Sequence, residues 1–148
     1  MIRFVTFEPG HIAEMKLREW DRLTMATQPE LAEYSAAYFQ KHGFGLTGLA
    51  DDGIVGAAGV VRVLPGNWEL WCYTTELFPK YGFAVHRSVK RFLDAFAKRP
   101  DWRRFQCVVD STYPVAVRWV EALGLEREGT LRKYGPNGED YHQYARIH

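Results

Sequence analysis

Lys80, His86 and Arg87 gather around Gly82 in the run Pro79-Lys80-Tyr81-Gly82-Phe83-Ala84-Val85-His86-Arg87, at the head of a segment with helical apolar spacing. Cations at a helix start oppose its dipole by ~0.3–1 kcal/mol each unless something negative offsets them. A small anion does so, because the first turn of a helix leaves backbone N–H groups without intrahelical partners and these receive it. The basic cluster beside a glycine therefore suits one small diphosphate, and a solvated basic face continuing through Lys90 and Arg91 is the plainer alternative. Other chemistries are less well supplied. Cys72 and Cys107 stand in separate predicted strands with no CxxC or Cys/His cluster, so zinc is not indicated and two buried thiols are the simpler reading. His11, His42, His142 and His148 are scattered and read as surface positions; only His86 lies near the basic cluster.

The elements that position these residues follow from periodicity and punctuation. Residues 2–7 read as a strand ended by Pro9-Gly10, and Ile12, Met15 and Trp20 suit a first helix. Leu31, Tyr34, Ser35, Tyr38 and Phe39 form a helical stripe opened by Gln28-Pro29 and closed by Gly43. Phe44 to Ala50, Ile54 to Leu64 and Trp68 to Thr75 then read as an antiparallel meander, with turns at Asp51-Asp52-Gly53 and Pro65-Gly66-Asn67. A long helix carries Val85, Val89, Phe92, Leu93 and Phe96 on its apolar face, runs to Lys98 and stops at Pro100. A strand from Arg103 to Val109 leads through Asp110-Ser111-Thr112 into a short helix ended by Gly124. Leu125 to Lys133 and Asp140 to Ile147 close the chain around Gly135-Pro136-Asn137-Gly138. The fold class is α/β (α+β), with a mixed, mostly antiparallel central sheet in the order β-αα-βββ-α-β-α-ββ.

Composition narrows the partners. The 148 residues read as one domain over 1–148, and 5 Trp, 8 Tyr and 9 Phe are ample for a core. With 19 Lys and Arg against 18 Asp and Glu, the net charge of +1 offers no broad field for nucleic acid, so any anion site is local. The first residues lack the layout of a signal peptide and no apolar run reaches a membrane span, which gives the expectation of a cytoplasmic protein with neither nucleic-acid nor membrane partners.

The run Ala116-Val117-Arg118-Trp119-Val120-Glu121-Ala122-Leu123-Gly124-Leu125-Glu126-Arg127-Glu128-Gly129, continuing to Tyr134-Gly135-Pro136-Asn137-Gly138, and the loop Pro79 to Ala84 together resemble the GNAT superfamily of N-acetyltransferases. The resemblance spans nearly the whole chain and implies the GNAT-like fold. It implies acetyl-coenzyme A as cofactor and direct acetyl transfer to an amine. In the family a Gln/Arg-x-x-Gly-x-Gly/Ala pattern opens the third helix; Gly82 and Ala84 match it and Pro79 replaces the basic or amide residue. Lys80, Tyr81, Gly82, Phe83, Ala84, Val85 and Arg87 are the residues this implies at the pyrophosphate. Tyr73, Thr74 and Thr75 lie along the pantetheine, with backbone N–H groups there as oxyanion donors.

Direct transfer needs a base and an acid. Glu69 is the only carboxylate in the predicted central strand, one position after Trp68, where some members carry a glutamate, so a bulge would be needed to aim it. Many members place an acidic tyrosine where Val120 stands, and an asparagine where Tyr113 stands; Tyr113 and Tyr134 are the candidate stand-ins. Trp68, Trp71, Tyr73, Tyr34 and Tyr38 are either ordinary core or the walls of an acceptor pocket for an apolar or aromatic amine. The acceptor is a small-molecule or peptide amine, and a homodimer stays open. Trp71-Cys72-Tyr73-Thr74-Thr75 and the segment Val109 to Trp119 are also similar to runs in GNAT-like proteins of bacteriophages, implying a phage gene and a host cytoplasm. The rival to an enzyme is a catalytically inactive GNAT-like binding or virion-associated protein.

Overall fold

A computed structural model describes residues 1–17 and 29–148. Trp20 and Gln28 of the predicted helices lie outside the described residues, as does the side chain of Leu31. The elements are β1 (Arg3–Thr6), α1 (Pro9–Glu14), α2 (Pro29–His42), β2 (Gly43–Ala50), β3 (Gly53–Leu64), β4 (Gly66–Thr74), α3 (Phe78–Phe96), β5 (Trp102–Asp110), α4 (Pro114–Ala122), β6 (Glu126–Leu131) and β7 (Tyr141–Ile147). The strands form one seven-stranded sheet, β1-β2-β3-β4-β5-β7-β6. β4 and β5 pair in parallel and the other registered pairs are antiparallel. The expected element order holds. Among the described residues no helix is long and apolar enough to cross a membrane.

Several boundaries differ for physical reasons. Pro9-Gly10 opens α1 instead of only ending β1, since proline at the first helical positions gives up a donor that has no partner there anyway. α1 then stops at Glu14, with Met15 extended. His11, read as a surface residue, is half-buried. Its Nδ1 accepts from the Glu8 N–H at 3.1 Å and lies 2.9 Å from Thr47 Oγ1, so it caps the helix it belongs to. Asp110-Ser111-Thr112 does not cap α4. Tyr113 holds that position without a side-chain cap, while Asp110 Oδ1 accepts from the Thr112 N–H and hydroxyl at 2.7 and 2.6 Å.

The chain divides into two compact units, Met1–Val61 with Trp71–Val89, and Arg62–Leu70 with Lys90–His148. In the first, Phe7, Ile12, Met15, Ala36, Ala57, Val61 and Trp71 make a buried cluster. Trp71 stacks on Phe39 with centroids 4.7 Å apart and meets Phe7 edge-on at 4.7 Å. Its benzo edge lies against Gly45 and Gly59, which pair with each other across β2 and β3. A Cβ at Gly45 would stand 2.7 Å from Trp71 Cζ2 and one at Gly59 2.8 Å, so these two glycines seat the indole, whereas a Cβ at Gly56 would stand 2.6 Å from the Tyr73 carbonyl oxygen.

In the second unit Trp102 stacks on Phe105 at 4.3 Å, Phe96 packs on Phe105 at 5.3 Å, and Trp68 meets Phe96 edge-on at 4.8 Å. The Trp102 indole N–H donates to the Ala97 carbonyl at 2.8 Å, which fixes the chain just past α3. Buried Tyr144 of β7 donates its hydroxyl to Glu121 of α4 at 2.9 Å. Behind α4, Gly124 adopts φ +89° while the N–H groups of Gly124 and Leu125 bond the carbonyls of Glu121 and Val120. Among the described residues other than its chain neighbours, no heavy atom lies within 4 Å of where a Gly124 Cβ would be, so the backbone conformation is what requires glycine. Gly124→Ala is therefore expected to cost about 1 kcal/mol of stability, read as a small fall in the urea midpoint with an unchanged slope.

A polar row crosses the sheet in this same unit. Gln106 of β5 donates to Glu69 of β4 at 2.8 Å and accepts from Arg104 Nε at 2.7 Å. Arg104 in turn engages both oxygens of Glu128 on β6, with Nη1 2.8 Å from Oε1.

Candidate functional site

The junction of β4 and α3 is set by Thr75. Its N–H donates to the Val55 carbonyl at 3.1 Å, and its hydroxyl lies 2.8 Å from the Ile54 carbonyl and 2.9 Å from that of Val55. Its carbonyl accepts from Phe78 N–H at 3.0 Å and its Oγ1 from Leu77 N–H at 3.3 Å. Thr75 is 2% exposed and all its polar groups are engaged. Thr75 thus staples β4 to β3 and starts the turn into α3. Thr75→Val, which keeps the shape and removes the hydroxyl, is expected to cost about 1–3 kcal/mol, a fall in Tm of several degrees. Tyr73 and Thr74, before it, are half-buried.

α3 begins at Phe78, earlier than the glycine pattern suggests. Within a helix starting there, the N–H groups of Gly82, Phe83 and Ala84 point along the helix to carbonyls four residues back. They are not end-of-helix donors, which corrects the expected source of N–H groups for an anion. Val85 is buried on the core stripe of the same helix. The outward face holds what an anion would meet. Phe83 is 75% exposed, with the Arg87 guanidinium 5.0 Å from its ring centre. A Cβ at half-buried Gly82 would meet Phe78 Cε1 at an ordinary 3.8 Å.

Lys80 and Tyr81 converge on a carboxylate. Lys80 Nζ lies 2.9 Å from Asp52 Oδ2, and the Tyr81 hydroxyl donates to Asp52 Oδ1 at 2.9 Å. Asp52 is placed there by the β2–β3 turn, where Gly53 at φ +136° turns the chain beside Leu77. Lys80 first and Tyr81 second hold the Asp52 carboxyl below the usual carboxylate range, and Asp52 raises Lys80. The charged pair thus persists at neutral pH and is lost in acid, as pH falls through the lowered Asp52 value, and in alkali, as pH rises through the raised Lys80 value. The helix from Phe78 to Val89 carries Lys80, His86 and Arg87 and no carboxylate. Its donor set fits a phosphate-bearing cofactor, with Asp52 as an opposing charge on Lys80.

The candidate acid and base groups belong to the second unit. Glu69 is half-buried with Oε2 on Gln106, inside the polar row. Tyr113 is half-buried at the start of α4. Tyr134 is exposed and packs against Tyr141 with centroids 5.0 Å apart. Val120 is buried on α4. Trp68 and Trp71 are 4% and 8% exposed, which agrees with the ordinary-core alternative for them, whereas Tyr34 stands out on α2 with its ring stacked 6.2 Å from Tyr38. Sequence reasoning did not single out Asp52, or the acid at the end of β5: Asp110 is 3% exposed and its Oδ2 is buried without a hydrogen-bond partner. The Asp-Ser-Thr triplet was the signal for the latter, since Asp two residues before a polar N–H favours a side-chain turn. Burial pushes the Cys107 thiol up to about 12, with Glu69 adding to it, so this thiol is no nucleophile at neutral pH. Among the described residues no group of three or more His, Cys, Asp and Glu could hold a metal ion.

No protein-family model matches the chain, and no curated protein sequence does. Solved structures match it over its whole length. A GNAT-family acetyltransferase from Streptococcus pneumoniae superposes with a TM-score of 0.73 at 14% identity, covering 100% of both chains. The ribosomal alpha-N-protein acetyltransferase RimL, in complex with coenzyme A, gives 0.71 at 15% identity over 99% of this chain and 93% of its own. A variant of spermidine N-acetyltransferase SpeG from Vibrio cholerae gives 0.68 at 14% identity, covering 99% and 93%. These likenesses, together with the strand order and the parallel β4–β5 pair, give the chain the fold of the GNAT-family acetyltransferases.

Proposed function

We propose that the chain is an acetyl-coenzyme A-dependent N-acetyltransferase that acts in the cytoplasm by direct transfer to a small-molecule or peptide amine. The observation that carries this reading is the whole-length likeness to acetyltransferases of different acceptors, one of them holding coenzyme A. The exposed cations of α3 support it, since they lie on the helix that follows the central strand. When bound, the cofactor supplies an acetyl thioester. Lys80, Tyr81 and Arg87 would hold its phosphates around Gly82, with Phe83 and Ala84 on the same stretch of helix, and Tyr73 and Thr74 would lie along its pantetheine. Glu69 takes the proton from the acceptor amine at its carboxylate, and the Tyr113 hydroxyl supplies one to the departing sulfur. Tyr134, on an exposed turn, is the other hydroxyl able to do so.

Calorimetric titration with coenzyme A tests the reading. Saturable binding at submillimolar concentration is expected, and an absence of heat at millimolar cofactor would overturn it. Free-thiol release across a panel of amines then separates an enzyme from a binding protein. The binding-only reading is favoured by the buried Val120, which puts no hydroxyl where many members of the family carry one. Binding without thiol release from any amine would establish it.

A further inference from the structure

We propose that Asp52 is an internal competitor that sets the affinity of the α3 start for its polyanion, occupying Lys80 and Tyr81 until a phosphate displaces it. This rests on the cofactor reading above. The two oxygens of Asp52 each accept one donor from the first turn of α3, an ammonium at Oδ2 and a phenol at Oδ1, both at 2.9 Å. That is the pattern two non-bridging phosphate oxygens would present, so the helix start already grips an oxyanion, one that the chain itself supplies. The pair is open to solvent, with the Lys80 side chain 64% and the Asp52 side chain 38% exposed, so an arriving ligand reaches Lys80 without unpacking anything.

Two features make Asp52 a competitor and not a buttress. Lys80 and Tyr81 are adjacent on a helix that positions them without help, being backbone-fixed by the Phe78 and Lys80 N–H bonds to Thr75 and Leu77. The turn bearing Asp52 is fixed independently by Gly53 and also carries exposed Asp51, so the competing charge stays in place when Lys80 leaves it. A phosphate bound there gains Lys80 only by breaking the pair, and sits beside an unpaired carboxylate afterwards.

The test is calorimetric titration of coenzyme A, and separately of inorganic pyrophosphate, into wild type, Asp52→Asn, Lys80→Met and the double variant. Asp52→Asn is expected to bind both ligands about three- to tenfold more tightly at low salt, with the gain shrinking at high salt. Lys80→Met should abolish most of that gain in the double variant. Equal Tm values for wild type and Asp52→Asn would exclude a folding effect. If wild type binds coenzyme A and Asp52→Asn binds it equally or more weakly, the competitor role is overturned while the cofactor reading stands. If neither binds coenzyme A, the cofactor reading falls and the competitor role with it.

Discussion

Replacing Gly59 by alanine is expected to destabilise the fold by about 3 kcal/mol or more, lowering Tm by roughly 6–12 °C. The added methyl meets three fixed neighbours at once. It runs into the carbonyl oxygen of Phe44, comes within 2.7 Å of the Gly45 Cα on the paired strand, and lies 2.8 Å from Trp71 Cζ2. A flexible side chain would yield, but two of these are backbone in the β2–β3 ladder and the third is an indole held by Phe7 and Phe39. The strands must separate or the indole must move, and either strips packing from the cluster around Trp71. Gly124→Ala is the internal comparison, since a Cβ there meets nothing and its smaller cost comes from backbone conformation alone. A thermal scan of Gly59→Ala matching wild type would mean that β2 and β3 are not paired in the register that puts Gly45 opposite Gly59.

Gly82→Glu is expected to abolish coenzyme A binding, with a loss on the order of a hundredfold or more, while leaving the protein folded. The second half of that statement makes the first informative. Among the described residues, outside the helix's own backbone and the chain neighbours, the atom within 4 Å of a Gly82 Cβ is Phe78 Cε1 at an ordinary 3.8 Å, so a side chain enters without displacing core. A carboxylate there stands among Lys80, Tyr81 and Arg87, neutralises the cations meant for phosphate and repels the phosphates directly. Gly82→Ala supplies the control: it adds volume without charge, should leave Tm unchanged or slightly raised, and should weaken binding far less. Undiminished titration by Gly82→Glu would move the phosphates elsewhere on the chain.

The element order was legible because glycine and proline punctuate the chain and because α3 carries an uninterrupted apolar stripe from Val85 to Phe96. Helix starts were less so. Phe78-Pro79 begins α3 from a turn held by the Thr75 carbonyl and hydroxyl, and no local motif announces that a threonine's groups will be spent on Ile54 and Val55 some 20 residues earlier. A shift of a few residues in that start turns the N–H groups of Gly82 to Ala84 from anion donors into ordinary helical bonds. The Lys80–Asp52 pair was invisible for the same reason, since 28 residues separate its members and only the β2–β3 turn joins them. For Trp68 and Trp71 core and pocket wall both stayed open in the sequence, because period alone says that they face opposite sides of β4, not that both sides are covered.

The polar row Glu69, Gln106, Arg104 and Glu128 has a role during assembly of the chain. A strand that slips by two residues keeps every apolar side chain on its proper face, so hydrophobic burial cannot tell that arrangement from the native one. The row can. Moving β5 by the two positions that put Val108 opposite Glu69 in place of Gln106 would leave that half-buried carboxylate without its amide partner and part the Arg104 fork from Glu128. These four side chains act as a proofreading mark for strand alignment, rejecting the near-miss pairings that the greasy core would accept.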